Sequence, residues 1–563
     1  MKPRIMGLAL SAPVTLWLLM AFATPMAVVV LLSLHDVPDP FAPILSPLSL
    51  AMFSEILTDW FLLGVILETV LLGVVVTLIS AVLGYPLAWW LVRLPPQRRA
   101  LGFALILIPI LTNVVVRSLG IMLLLSPQGL INSLLATLHL PTIEGMLFSH
   151  FAVVVGLAQV FMPFMVLALY DSLQSTSGRV HEAADSLGAS PALRFLTVDF
   201  PLSLPGLRAG MIIVFLMAST AYVSATLLGG KKVWTVGMLI LQEAITNLNA
   251  SMAAALSLIL TAIGIGVALL VSVLMGRVMP WRSGAPSRPL PVPKYGVGLI
   301  NFIGPILSRI LLVISVGLLL LPLALVVIQS FNDVPIATAA GFKGFTLRWY
   351  QQVLFGDAYG AAFWNSLKLA VCATAVAITL ALPAAFAVAR YPFPGRALLL
   401  GFWLLPLSLP SIALGVGMLR LLQAYLWLPP FFGMVMVHSV IILPFVITLM
   451  LSSVASLDRA QEEAAETLGA GPVRKFFLVI LPALSPGLFA AGLVGFLNSF
   501  GEVTVTSFLT NARLTTLPVR IYSEATFVLE PTAHAISALM IAVTALALVV
   551  LGRFVRLDRL YAR

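Results

Sequence analysis

The side chains of this chain that could do chemistry are few, and they lie inside long apolar runs. Glu502 ends the segment Asn498-Ser499-Phe500-Gly501-Glu502, and Tyr222 holds roughly the same place in an earlier run. Asn113 and Arg117 stand four apart, on one face of a third apolar helix. A charge at the centre of a membrane helix costs roughly 2.5–3.5 kcal/mol on insertion scales, so such groups face a bundle interior or a wet cavity. Their chemistry is recognition. Glu502 suits a cationic group, Tyr222 offers a ring for cation–π contact and a hydroxyl, and Arg117 suits an anionic or zwitterionic group. Glu68, in another apolar run, is the expected ion partner of Arg117. Catalysis is not indicated, because no nucleophile–base pair stands out. The six histidines are scattered, and Cys372, the single cysteine, excludes an internal disulfide and a cysteine-rich metal site. Gly229-Gly230-Lys231-Lys232 lacks the leading glycine of a phosphate-binding loop.

The elements that must position these groups are membrane helices. Apolar residues make up 61% of the 563 and charged residues 9%, against roughly 25% charged in soluble domains. The net charge of +10 is therefore read against a bilayer. No basic stripe interleaved with aromatics points to nucleic acid. Apolar windows fall near 13–34, 62–92, 101–125, 150–170, 206–228 and 252–275, then near 307–330, 363–389, 397–425, 431–453, 484–509 and 533–552. The spacing predicts an all-α polytopic membrane protein of about 12 transmembrane helices, six plus six. Ala21-Phe22-Ala23 imitates a signal-peptidase site, but the apolar run continues to about Leu34, so this segment is expected to remain as the first span. Lysines and arginines such as Arg93, Arg98, Arg99, Arg194, Arg390, Arg396, Arg474 and Lys475 crowd one side. The positive-inside rule then places both termini in the cytoplasm.

The chain repeats itself. EAADSLG at Glu182–Gly188 returns as EAAETLG at Glu463–Gly469, an offset of 281. Pro163, Pro201 and Pro205-Gly206 keep that offset to Pro444, Pro482 and Pro486-Gly487. Pro86, Arg93, Pro109 and Gly120 match Pro383, Arg390, Pro406 and Gly417 at an offset of 297, so the first half carries a longer loop around Ser126–Ser149. The expected halves are 1–275 and 307–563, joined by a proline-rich cytoplasmic linker at 276–306, with the repeated loops at 171–205 and 454–483. Glu182-Ala183-Ala184 and Glu463-Ala464-Ala465 are expected to open short helices, each glutamate in the first turn. Gly188 and Gly469 would end them in the left-handed conformation, and Pro201 and Pro482 would start the next element.

This pattern resembles the EAA loop of ABC-importer permeases: Glu-Ala-Ala, three residues, glycine, then a proline-ended apolar stretch. RSLGIMLLLSPQGLINSLL, PFMVLALYDSL and YVSATLLGG are similar to the first permease of polyamine importers. GFTLRWYQQVL, NSLKLA, ARYPFPGRALL, SFGEVTVTSFL and TLPVRIYS are similar to the second. The resemblance covers nearly the whole chain and extends to ferric-iron and aminophosphonate permeases. It implies the type I ABC-importer permease fold, fused from two halves, in a bacterial inner membrane. It implies ATPase coupling through Glu182, Ala183, Ala184, Gly188, Glu463, Ala464, Ala465 and Gly469. As polar groups inside spans, Glu502, Asn498, Ser499, Tyr222, Asn113 and Arg117 are the candidates for the substrate path, and the resemblance adds a family counterpart for Glu502. Two copies of a separate ATPase, which would bind ATP and Mg, and an extracytoplasmic solute-binding protein are the implied partners. No cofactor, metal or catalytic residue is expected on this chain. Polyamine is the first expected substrate, 2-aminoethylphosphonate the second and ferric iron the third. An ion-coupled secondary transporter could also have six-plus-six repeats, but it would need paired intramembrane acids and would leave two EAA loops unexplained.

Overall fold

The structure, a computed structural model, describes residues 3–35, 48–175, 178–278, 297–334, 341–407, 409–425, 428–527 and 530–554. Helices dominate, and no strand occurs among the described residues. Eleven described helices are long and apolar enough to cross a membrane, or twelve if the bent pair Arg396–Leu407 and Ser411–Ala424 counts as one span. The repeat holds to the residue. Trp60–Arg93 returns as Asp357–Arg390, and Gly178–Ser186 returns as Arg459–Thr467.

Several expected spans are not simple rods. The run at 101–125 is two helices, Pro96–Leu111 and Val114–Leu125, because Asn113 caps the second through Oδ1 and the Val115 N–H at 2.6 Å. Its counterpart turns by 88° between Leu407 and Ser411, where Pro406 and Pro410 withhold two amide donors. The runs at 206–228 and 484–509 also break. Their long helices end at Ser219 and Phe500, and short helices follow at Val223–Gly229 and Thr506–Leu509. These long helices begin before Pro201 and Pro482, correcting the expected starts. Each run opens at Pro191 or Pro472 and passes through a wide π turn, Phe195–Asp199 or Phe476–Ile480. The wider turn lets the chain accommodate a following residue without an N–H. The expected linker is also shorter: Ala250–Val278 runs to its edge, and an apolar helix, Val297–Gln329, opens before residue 307. Residues 279–296 lie outside the described ones.

The first span of each half packs on the other half. Arg4–Ser33 lies against Tyr359–Arg390 and Ser411–Ala424, and Val297–Gln329 lies against Trp60–Arg93 and Val114–Leu125. Trp17 Nε1 donates to Ser439 Oγ at 2.9 Å, Trp403 Nε1 to Thr15 Oγ1 at 3.1 Å, and Ser315 Oγ to the Leu83 carbonyl at 2.7 Å. Close approach is made possible by two matched glycines. A Cβ on Gly120 would meet the Pro322 carbonyl oxygen at 2.3 Å, and one on Gly417 would meet that of Pro25 at the same distance. In a bilayer, where burial between helices brings no hydrophobic gain, such small-residue crossings are a main source of cohesion.

Candidate functional site

The two Glu-Ala-Ala helices are built alike. Gly188 and Gly469 have φ of 71° and 78°, the left-handed region where a side chain is strained. The Ala189 N–H reaches back to the Ala184 carbonyl and the Gly188 N–H to that of Asp185. The Ala470 and Gly469 amides do the same to Ala465 and Glu466. The glutamates are not in the first turn. The helices start at Gly178 and Arg459, and in the second Asp458 supplies the cap to the Ala460 N–H at 2.9 Å, so Glu463 falls in the second turn. Repeated ion pairs brace each loop: Asp185 with Arg194 at 2.8 Å, and Glu466 with Lys475. His181 bonds the buried Asp199 at 2.7 Å, and Glu462 bonds Arg390 at 2.9 Å, anchoring each helix to a span. Glu182, Ala183, Glu463 and Ala464 stay exposed, whereas Ala184 is half-buried and Ala465 buried. Just before each glycine a leucine projects, Leu187 at 87% and Leu468 at 88% exposure. The motif does not single these leucines out, although their shared place in the repeat is a signal.

A cavity of about 300 Å³ lies where the broken helices of both halves meet. Asn113, Arg117 and Tyr222 line it from the first half, and Asn498 and Glu502 from the second. Five of the six path candidates thus converge. Ser499 does not line the cavity; it is buried behind the wall, with Oγ 2.8 Å from His438 Nδ1. The halves are stitched across the cavity: Asn113 Nδ2 donates to the Gly501 carbonyl at 2.7 Å, and Tyr222 Oη donates to that of Thr504 at 3.4 Å. Both carbonyls are left over where a helix breaks, so the site reuses the groups the break exposes. Tyr222 is buried and meets Tyr522 edge-on at 6.1 Å, so its ring packs against protein.

Glu502 accepts from the Val505 N–H and the Thr506 N–H, both at 3.0 Å, and from Thr506 Oγ1 at 2.7 Å. It therefore caps the short helix while facing the cavity. Arg117 is 5% exposed and donates to the Val160 carbonyl at 3.2 Å, while its Nε has no partner. Glu68 is not its counter-ion. That carboxylate bonds His150 Nε2 at 2.6 Å, because the second and fourth spans lie side by side and bring those two together. The cavity wall thus carries one positive and one negative side chain, and the hydroxyls of Thr112, Ser219, Thr220, Ser411 and Thr504 extend its polar lining.

Matched helical halves, a cavity with polar groups at broken helices and a repeated short helical loop define the class: a membrane permease. The family described as binding-protein-dependent transport system inner membrane component matches residues 377–559. The spermidine/putrescine transport system permease protein PotB of Escherichia coli (strain K12) is 35% identical over 208 residues, 37% of this chain and 75% of that protein. PotB of Haemophilus influenzae is 35% identical over 188 residues, 33% and 66% respectively. The putrescine transport system permease protein PotI of E. coli (strain K12) is 30% identical over 240 residues, 41% and 84%. The same 208 residues fill twice the share of PotB that they fill here, so this chain is about twice as long. The chain belongs to the permease family of binding-protein-dependent ABC importers and is a multi-pass inner-membrane transport protein.

Proposed function

We propose that this chain forms the solute path of an ATP-driven polyamine importer and takes its power stroke from two copies of a separate ATPase, one on each Glu-Ala-Ala loop. The observation that carries this reading is the paired loops, each with an exposed leucine beside a left-handed glycine, on a body whose halves meet at one cavity. An exposed apolar anchor ringed by polar groups suits a groove on a partner. The clustered lysines and arginines support a cytoplasmic position for both loops and both termini. ATP and Mg then bind the partner and not this chain, and an extracytoplasmic binding protein delivers the solute. The names of the relatives support spermidine or putrescine as that solute.

A second reading has its own support. Arg117 brings a buried positive charge to the cavity opposite in sign to Glu502, an arrangement suited to a zwitterion such as 2-aminoethylphosphonate. Reconstitution in proteoliposomes with the cognate ATPase and binding protein decides between them. Uptake of labelled spermidine, unaffected by excess 2-aminoethylphosphonate, is expected. Preferential uptake of the phosphonate would favour the second reading, and uptake of ferric iron alone would overturn both. The purified complex is expected to hold one copy of this chain to two of the ATPase. A two-to-two assembly contradicts the fused-permease reading.

A further inference from the structure

Behind Glu502 stands a side chain that the solute path does not include. His438, on the helix Pro430–Ser456, is 1% exposed and does not line the cavity. Its Nδ1 lies 2.8 Å from Ser499 Oγ and its Nε2 lies 2.9 Å from Thr506 Oγ1. Thr506 Oγ1 in turn lies 2.7 Å from Glu502 Oε2.

The protons of this chain of groups can be counted. The Thr506 hydroxyl has one hydrogen, and the carboxylate takes it, since a hydrogen bond to an ionised acceptor is about twice as strong as a neutral one. Thr506 Oγ1 must then accept from His438, which assigns that hydrogen to Nε2. In the neutral imidazole Nδ1 then keeps a lone pair, which the Ser499 hydroxyl fills. Every donor in the series points toward Glu502. The arrangement holds the carboxylate by its Thr506 side and offers the negative charge to the cavity.

The internal repeat sets the four residues apart together. At the 281 offset His438, Ser499, Glu502 and Thr506 correspond to Leu157, Ala218, Ala221 and Ala225. All four polar groups are apolar in the first half. The first half, which has no carboxylate at this place, has none of the three groups that stand behind it.

We propose that His438, acting through Thr506, is the positioning residue that fixes Glu502 for a cationic group of the solute, so that recognition of positive charge resides in the second half. The proposal rests on Glu502 belonging to the solute path, and its test separates the two ideas. His438→Phe, His438→Gln and Thr506→Val are each made with Glu502 and with Glu502→Gln, and spermidine uptake into proteoliposomes is measured at equal amounts of assembled complex. His438→Phe and Thr506→Val are each expected to lower uptake about fivefold to tenfold when Glu502 is present. His438→Gln, whose amide nitrogen can replace Nε2 as donor, is expected to restore most of it. With Glu502→Gln already in place, none of the three should lower uptake further.

Effects that multiply with that of Glu502→Gln would assign His438 to packing and overturn the proposal. So would wild-type uptake by Thr506→Val, the near-isosteric change, which serves if His438→Phe fails to assemble. If Glu502→Gln alone leaves uptake unchanged, the path role of Glu502 falls and this inference falls with it. If Glu502→Gln lowers uptake while Thr506→Val does not, the inference alone fails.

Discussion

Glu502 faces the cavity and also accepts three hydrogen bonds at the start of the next helix, so the proposed solute recognition is tied to local helix geometry. Replacing it by glutamine removes the charge and weakens that cap. For a cationic solute, Glu502→Gln is expected to lower uptake about tenfold or more, the scale of one lost charge-assisted bond. Transport and solute-stimulated ATP hydrolysis in proteoliposomes measure this. Unchanged uptake removes Glu502 from the path, and failure to assemble assigns it to the scaffold. Arg117 is tested in the opposite sense. A buried guanidinium with one carbonyl partner is costly to hold, so Arg117→Met should keep or raise the melting temperature in detergent, and it should lower uptake of a zwitterion such as 2-aminoethylphosphonate but not of spermidine. A lower melting temperature with intact uptake would show that its bond to Val160 holds the fold. Neither role follows from residue type: Asn113, Arg117, Tyr222 and Glu502 are legible as polar groups in apolar runs. Glu68 was expected beside Arg117 but meets His150, because hydropathy does not give the rotation of one helix against another.

The two Glu-Ala-Ala loops belong to the scale of single elements. Each ends at a glycine whose φ is positive, a conformation closed to proline. Gly188→Pro with Gly469→Pro is therefore expected to insert and purify normally but to lose uptake, since both helices lose their terminating turn. Wild-type uptake by a normally expressed double variant would refute this. The glycine ends, the helical loops and their repeat are readable from the chain because they rest on local backbone chemistry. The helix starts are less so: Asp458, a short polar side chain five residues before the expected opening, takes the cap. Breaks at Asn113, Pro410 and Gly501 also escape a hydropathy window, since one or two residues end a helix without making the run less apolar.

Across the whole molecule, the exchange of first spans makes the two halves one body. Cleavage within residues 279–296, at an inserted protease site, should leave the halves associated through purification, held by the crossings at Gly120 and Gly417. Gly120→Val should lower the melting temperature of the intact chain by several degrees and make the cleaved halves separate, because its Cβ would sit against the Pro322 backbone. Halves that part without that substitution would refute the argument. The sequence alone determined the apolar helical class, the repeat with its two glycine-ended helical loops, and which polar residues lie inside apolar runs. Tertiary structure alone decided which half each first span embraces, which five candidates share the cavity, and that His438 stands behind Glu502. The physical reason is the solvent. Lipid tails and protein interiors are equally apolar, so the hydropathy that marks a span says little about what its faces touch. Small residues and paired polar groups choose the neighbours, and their partners lie hundreds of residues away: Gly120 against Pro322, Asn113 against Gly501.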